Sequence, residues 1–277
     1  MQIGIFAKTF PGNDSQSVLA AVAANGFTVV QYNLACSGLE PLPERIPAAT
    51  SAAVRAASAA NGVEIAAVSG TFNLIHPDEN QRAEGLRRLG ILIGAAPALG
   101  TRLVTLCTGT RDPDDPWRWH PGNASPDAWR DLLVSMETVI REAEAHDVDL
   151  GIEPELANVV SSAFLARRLV EETQSKRVRI VFDAANLFET TSLAEQRDIV
   201  TRAVDLLGDR IAIVHAKDRA ADGSFAAAGR GVLDYPHYIG ALRRAGFDGP
   251  LITHGLEAHE ARDVGIFLRS IVEGGQG

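Results

Sequence analysis

GIEPE, residues 151–155, is a strand-like apolar run that ends in two carboxylates, Glu153 and Glu155. The same design returns in IVFDAAN (180–186), which carries Asp183, in IVHAKD (213–218), which carries His215, and in LITHGLE (251–257), which carries His254 and Glu257. A helix-like stretch follows each run. Apolar strands that deliver carboxylates and imidazoles at one depth are how a parallel barrel builds a divalent-metal site on one rim. The pattern points to an enzyme.

Working outward, short β-rich runs alternate with longer amphipathic or Ala-rich stretches about eight times, the arrangement of repeated βα units. The spacing predicts strands over Gln2–Ala7, Thr28–Asn33, Glu64–Ser69, Arg102–Cys107, Asp149–Glu153, Arg179–Asp183, Ile211–His215 and Pro250–His254. Helices are expected over Ser15–Asn25, Glu44–Asn61, Glu79–Leu99, Pro126–Asp147, Ser161–Thr173, Leu193–Leu207, Tyr235–Ala245 and Ala258–Glu273. Gly26, Gly62, Gly100, Gly208 and Gly246 stand where a helix would end in a left-handed residue. No internal stretch is rich enough in Pro, Gly or Ser to mark a boundary, so one domain over residues 1–277 is expected.

The 277 residues carry a formal charge of −9 and are 46% hydrophobic, enough for one large core. The acidic balance and the lack of Lys/Arg clusters disfavour a nucleic-acid partner. Cys36 and Cys107 are too few and too far apart for a disulfide framework. MQIGIFAKTF has no basic leader, and no apolar run reaches the roughly 20 residues that span a bilayer. A cytoplasmic protein without a membrane partner is expected.

Glu153, Asp183, His215 and His254 form a mixed oxygen and nitrogen set without thiolate, suited to Mn²⁺, Mg²⁺, Co²⁺ or Zn²⁺. The ends of consecutive barrel strands are neighbours in space, which would bring the four together. Other candidates surround them. Glu155 is either a catalytic base or a residue that orients a ligand. Lys217 either donates to a substrate oxygen or pairs with Asp218. Asn186 follows Asp183, and His76 either contacts substrate hydroxyls or caps the next helix. Trp117, Trp119 and His120 sit in the longest aperiodic insertion, Thr108–Ser125, placed to cover a sugar face or to plug a loop. Arg111 and Arg230 are candidates for an anionic substrate group.

IEPE with Glu153, VFDAAN with Asp183, VHAKD with His215, GRGVLD ending at Asp234 and DGPLITH ending at His254 resemble the xylose-isomerase-like superfamily of sugar isomerases and epimerases, which also includes apurinic endonucleases. The resemblance covers nearly the whole chain and implies an α/β fold, a (β/α)8 TIM barrel. It also implies one divalent metal held by a glutamate, an aspartate, a histidine and a second glutamate. Three of these fall on Glu153, Asp183 and His215. The last strand offers His254 where the pattern has glutamate, with Glu257 three residues later, and Asn186 stands where epimerases commonly carry a substrate-binding histidine.

The resemblance implies a metal-dependent isomerase or epimerase acting on a small polyhydroxylated carbonyl substrate, a sugar or sugar derivative, through an enediolate. Glu153 or Glu155 is the expected base, and a homo-oligomer is an open expectation. The missing second glutamate keeps a lyase or a deglycosidase of a keto-glycoside as the alternative, because such chemistry needs one base. A non-catalytic metal-binding barrel is the reading from a different class. A phosphodiesterase of the apurinic type is disfavoured by the acidic charge.

Overall fold

The computed structural model describes residues 1–274, so the last three residues of the domain expected over 1–277 lie outside the described residues. The strands are β1 (Gln2–Phe6), β2 (Val29–Tyr32), β3 (Glu64–Ser69), β4 (Leu103–Cys107), β5 (Asp149–Glu153), β6 (Val178–Asp183), β7 (Ile211–Arg219), β8 (Phe225–Ala227) and β9 (Pro250–Thr253). All but β8 form a closed parallel barrel, in which β9 joins β7 to β1 and the β6–β7 pairing completes the ring. Helices α1 (Ser15–Ala24), α2 (Ala48–Asn61), α3 (Glu79–Leu99), α4 (Pro126–His146), α5 (Ala163–Thr173), α6 (Leu193–Leu207), α7 (Tyr235–Arg244) and α8 (Ala261–Gly274) cover it. The chain is a (β/α)8 TIM barrel.

Local chemistry sets the helix starts. Asp14, Asp78, Ser125, Ser162, Ser192 and Asp234 each accept a backbone N–H from the first turn of the helix that follows. α2 begins at Ala48 rather than Glu44, because Pro43 and Pro47 hold the residues before them extended. Gly100 ends α3 at φ 106° as expected, whereas Gly208 stays right-handed at φ −55° and starts a short 3₁₀ turn. Asp147 and Gln174 take the left-handed role after α4 and α5.

Strand alternation then builds the interior in layers. Val29, Ala67, Leu103, Val181, Ile213 and Ile252 pack as one buried apolar cluster. Gly4 and Gly151 complete this ring because neighbours already fill the space; a Cβ on Gly151 would stand 2.9 Å from Val181. Two positions further along, the same inward face carries Phe6 on β1 and then Gln31, Ser69, Thr105, Glu153, Asp183, His215 and, just past β9, His254. A dry plug therefore lies directly beneath a polar layer. The outward faces of the strands pack on the helices in a second, larger core.

β7 departs from expectation. It runs on past His215 to Arg219 and pairs antiparallel with β8 in a hairpin over the rim, with Arg219 opposite Phe225. The buried Asp218 carboxylate accepts N–H groups from Arg219 (2.8 Å), Gly229 (3.0 Å) and Leu233 (2.9 Å). A side chain at residue 231 would overlap the Arg219 carbonyl and the Asp218 carboxylate, so only glycine lets the GRGVLD segment wrap so closely. Leaving these N–H groups unpaired costs about 1–3 kcal/mol each before relaxation. Asp218→Ala is accordingly expected to lower unfolding stability by roughly 3 kcal/mol in urea titration. Amide exchange in residues 219–233 is expected to quicken more than in the barrel strands.

Candidate metal centre and cavity

Glu153 ends β5, Asp183 ends β6, His215 lies within β7 and His254 follows β9, so the barrel rim brings these four side chains together. One ligand atom from each lies within 4.8 Å of all the others. Donors bound at about 2.0–2.2 Å to a common ion stand roughly 3–4 Å apart, so a small contraction around a divalent cation satisfies all four. The donor set fits the implied metal: two carboxylates supply charge, two imidazoles supply nitrogen, and no thiolate intervenes.

Hydrogen bonds fix the ligand orientations. Gln31 Nε2 donates to Thr105 Oγ1 at 3.0 Å, which turns its Oε1 toward His215 Nε2 at 2.8 Å. The Nε2 proton of His215 is thereby committed to Gln31, and Nδ1 is the nitrogen presented to the centre, 3.1 Å from Glu153 Oε1. Asn186 Nδ2 donates to the same Glu153 oxygen at 2.9 Å, and Asn186 Oδ1 accepts from Lys217 Nζ at 2.9 Å. Lys217 also pairs with Asp183 Oδ2 at 3.3 Å, and His254 Nε2 lies 3.4 Å from that oxygen. Lys217 thus faces the centre, while Asp218 turns to the backbone of its own hairpin.

The carboxylates are driven apart electrostatically. Burial pushes Glu153 up, but the charge and hydrogen bond of His215 outweigh it and the net shift is downward. Burial likewise opposes ionisation of Asp183, yet Lys217 and the histidines hold it well below the usual carboxylate range. Burial followed by the Glu153 charge pushes Glu155 up to about 8, against a smaller pull from Lys217 and Arg219. Burial and the neighbouring His215 charge pull His254 down, which favours the neutral, ligating imidazole.

A cavity of about 830 Å³ opens above this floor. Glu155, Asn186, Lys217 and Trp117 line it, as does Trp119, and the two indoles are half exposed at its mouth. Their loop is pinned: Asn123 Oδ1 accepts from the Arg111 N–H at 2.7 Å, and Arg118 pairs with Asp112. Five of the surrounding sequence candidates lie off the cavity lining. His76 accepts the Asp78 N–H through Nδ1 at 3.0 Å, and His120 accepts the Gly122 N–H at 3.0 Å, so both rings organise their own turns. Glu257 is exposed at the cap of the turn before α8, and Arg230 is exposed on the hairpin loop. Arg111 is paired with Asp131 at 2.7 Å.

Gln31, Thr105, Arg219 and Phe225 were not among the sequence candidates. The first two follow the plug residues Val29 and Leu103 by two positions, so strand alternation was the available signal. Arg219 and Phe225 line the cavity only because β7 continues into the hairpin.

A family model of the xylose isomerase-like TIM barrel matches residues 19–270. The chain belongs to this family. Its fold is also that of solved structures at 18% sequence identity. The 3-keto-D-glucoside 4-epimerase of E. coli, in its apo form, has a TM-score of 0.76 over 98% of this chain and 99% of that one. The D-psicose 3-epimerase of Clostridium cellulolyticum H10, solved with D-tagatose, has a TM-score of 0.75 over 98% and 99%. An L-ribulose 3-epimerase has a TM-score of 0.77 over 100% and 96%. None of the curated protein sequences matches the chain. Among the described residues, no helix is long and apolar enough to cross a membrane.

Two outcomes follow from the site. Gln31→Leu frees the His215 ring and is expected to weaken Mn²⁺ affinity by about 10- to 100-fold in calorimetric titration, while Ser69→Ala on the same layer leaves it nearly unchanged. The second concerns pH. Between about 4.5, its unfolded value, and about 8, Glu155 keeps a proton in the folded protein that the unfolded chain has released. Its contribution to stability therefore falls as pH rises through that window. Urea titrations of metal-free protein from pH 5 to 8 are expected to show a downward slope that Glu155→Gln flattens.

Proposed function

We propose that the protein is a divalent-metal-dependent isomerase or epimerase of a small polyhydroxylated carbonyl compound, a sugar or sugar derivative. The observation that supports this best is the convergence of Glu153, Asp183, His215 and His254 at the base of one cavity, which Glu153, His215 and His254 line together with Glu155. The epimerases named among the structural neighbours agree with it. Glu153, Asp183, His215 and His254 would hold the ion, with Mn²⁺, Mg²⁺, Co²⁺ and Zn²⁺ all compatible with the donors. Two buried free cysteines are consistent with a cytoplasmic location.

A divalent ion supplies Lewis acidity at a substrate oxygen when bound. The remaining chemistry belongs to the side chains. Glu155 is the proton carrier of this reading, since a carboxyl that ionises near neutral pH both accepts and returns a proton. Glu153, tied to His215 and Asn186, serves as a fixed ligand. Removal of the proton beside the carbonyl by Glu155 leaves an enediolate, and Lys217 stands where it can donate to a substrate oxygen. Trp117 covers an apolar sugar face and excludes water.

One observation favours a second reading. The last barrel strand supplies His254 rather than a carboxylate, and Glu189, the remaining carboxylate of the cavity lining apart from Glu153 and Glu155, is exposed at the rim. With a single well-placed base, a lyase or deglycosidase of a keto-sugar is the alternative. Mass spectrometry of ketoses, aldoses and keto-glycosides incubated in heavy water with Mn²⁺ separates the two. Deuterium in a product of unchanged formula is expected, and Glu155→Gln is expected to slow exchange by about 10²-fold or more. Cleavage products would select the lyase, and no exchange or cleavage despite bound Mn²⁺ would contradict both.

A further inference from the structure

Arg219 makes no ion pair among the described residues, although only 7% of its surface is exposed. Its Nε donates to the Ala185 carbonyl at 2.8 Å and its Nη1 to the Gly223 carbonyl at 2.7 Å. Neither partner carries charge. The other N–H groups of the guanidinium fork make no hydrogen bond among the described residues, and the side chain lines the cavity above the metal-ligand layer. A permanently charged group is rarely buried without a counter-ion, because the lost hydration is restored only by a partner of opposite charge.

The neighbouring cation has its counter-ion. Lys217 Nζ pairs with Asp183 at 3.3 Å. Lys217 and Arg219 project from the same face of β7, and both heads approach the Phe225 ring at 3.8 Å from its centroid. The ring supports Arg219 from the hairpin, and the Ala185 and Gly223 carbonyls hold two edges of the fork. A guanidinium held in this way is a preorganised receptor for a planar oxyanion. Glu189, Asp183 and Glu155 act on this guanidinium only through space, without a hydrogen bond, and its free edge offers paired N–H donors that match the two oxygens of a carboxylate.

We propose that Arg219 is a specificity-determining residue and that the substrate is a sugar acid, a polyhydroxylated carbonyl compound bearing a carboxylate paired with the free edge of this guanidinium. The proposal rests on the reading of the cavity as a sugar site, and names the chemical class that enters it. Lys217 remains the donor near the reacting carbons. Arg219 fixes the far end of the substrate, with Phe225 backing the contact.

The test uses non-reacting ligands, so that its outcome is independent of turnover. Calorimetry on the chelator-treated, metal-free protein compares D-gluconate with D-glucitol, the same carbon chain with a carboxylate replaced by CH2OH, and with D-glucitol 6-phosphate. Gluconate is expected to bind at least about tenfold more tightly than glucitol, with the difference shrinking in salt. Arg219→Gln is expected to remove the preference, and Arg219→Lys to retain part of it, while circular dichroism and Mn²⁺ titration report an intact barrel and metal site. Equal binding of gluconate and glucitol, a preference that survives Arg219→Gln, or stronger binding of the phosphate would each overturn the assignment. Absence of deuterium exchange with a carboxylate preference intact would overturn the proposed reaction and leave the anion subsite standing.

Discussion

In a closed parallel barrel every second residue of every strand points at the axis, and this alternation is the constraint on which the rest of the molecule depends. Here the axis holds a tightly filled apolar ring, Val29, Ala67, Leu103, Val181, Ile213 and Ile252, with Gly4 and Gly151 where no side chain fits. The next inward positions are polar on every barrel strand except β1, which offers Phe6. A metal-binding set placed there stands on a dry, incompressible floor, and its ligands cannot retreat downward. Because the strands are hydrogen-bonded in fixed register, with Asp183 opposite His215 and Cys107 opposite Glu153, the donors are positioned by backbone pairing before any ion arrives.

Charge explains how such a layer is tolerated. Two carboxylates buried side by side would ordinarily share a proton. Lys217 beside Asp183, and His215 and Asn186 beside Glu153, keep this pair ionised. Glu155 makes no hydrogen bond to these groups, and burial with the Glu153 charge pushes its carboxyl up to about 8. One layer thus holds two ionised carboxylates, with a carboxyl of raised pKa within two residues of chain. The difference between Glu153 and Glu155 follows from the hydrogen bonds that His215 and Asn186 make to Glu153 alone.

Much of this was legible in the sequence. The eight βα repeats, their turn residues and the four ligand candidates could be read from hydrophobic periodicity, since each strand is a short apolar run that ends in its functional residue. Gln31 and Thr105 were not, because isolated polar residues in central strands carry no chemical signature until the barrel closes and aligns them with His215. For His76 and His120 the sequence left a substrate contact and a local structural role open, and in the fold each ring accepts a backbone N–H two residues on. The β7–β8 hairpin was also hidden. It exists because Asp218 gathers N–H groups from its neighbour Arg219 and from the distant Gly229 and Leu233, an arrangement that no local pattern reports. Arg219 and Phe225 reach the cavity through it.

Joint binding of one divalent ion by Glu153, Asp183, His215 and His254 is the proposal on which the site's chemistry depends. Crystals grown with Mn²⁺ and measured near the manganese absorption edge test it most directly, because the anomalous signal locates the ion without reference to activity. A single strong peak within about 2.0–2.3 Å of one atom from each of the four side chains, with His215 ligating through Nδ1, is the predicted result. An empty site in saturating Mn²⁺, or a peak held by other residues, would contradict it.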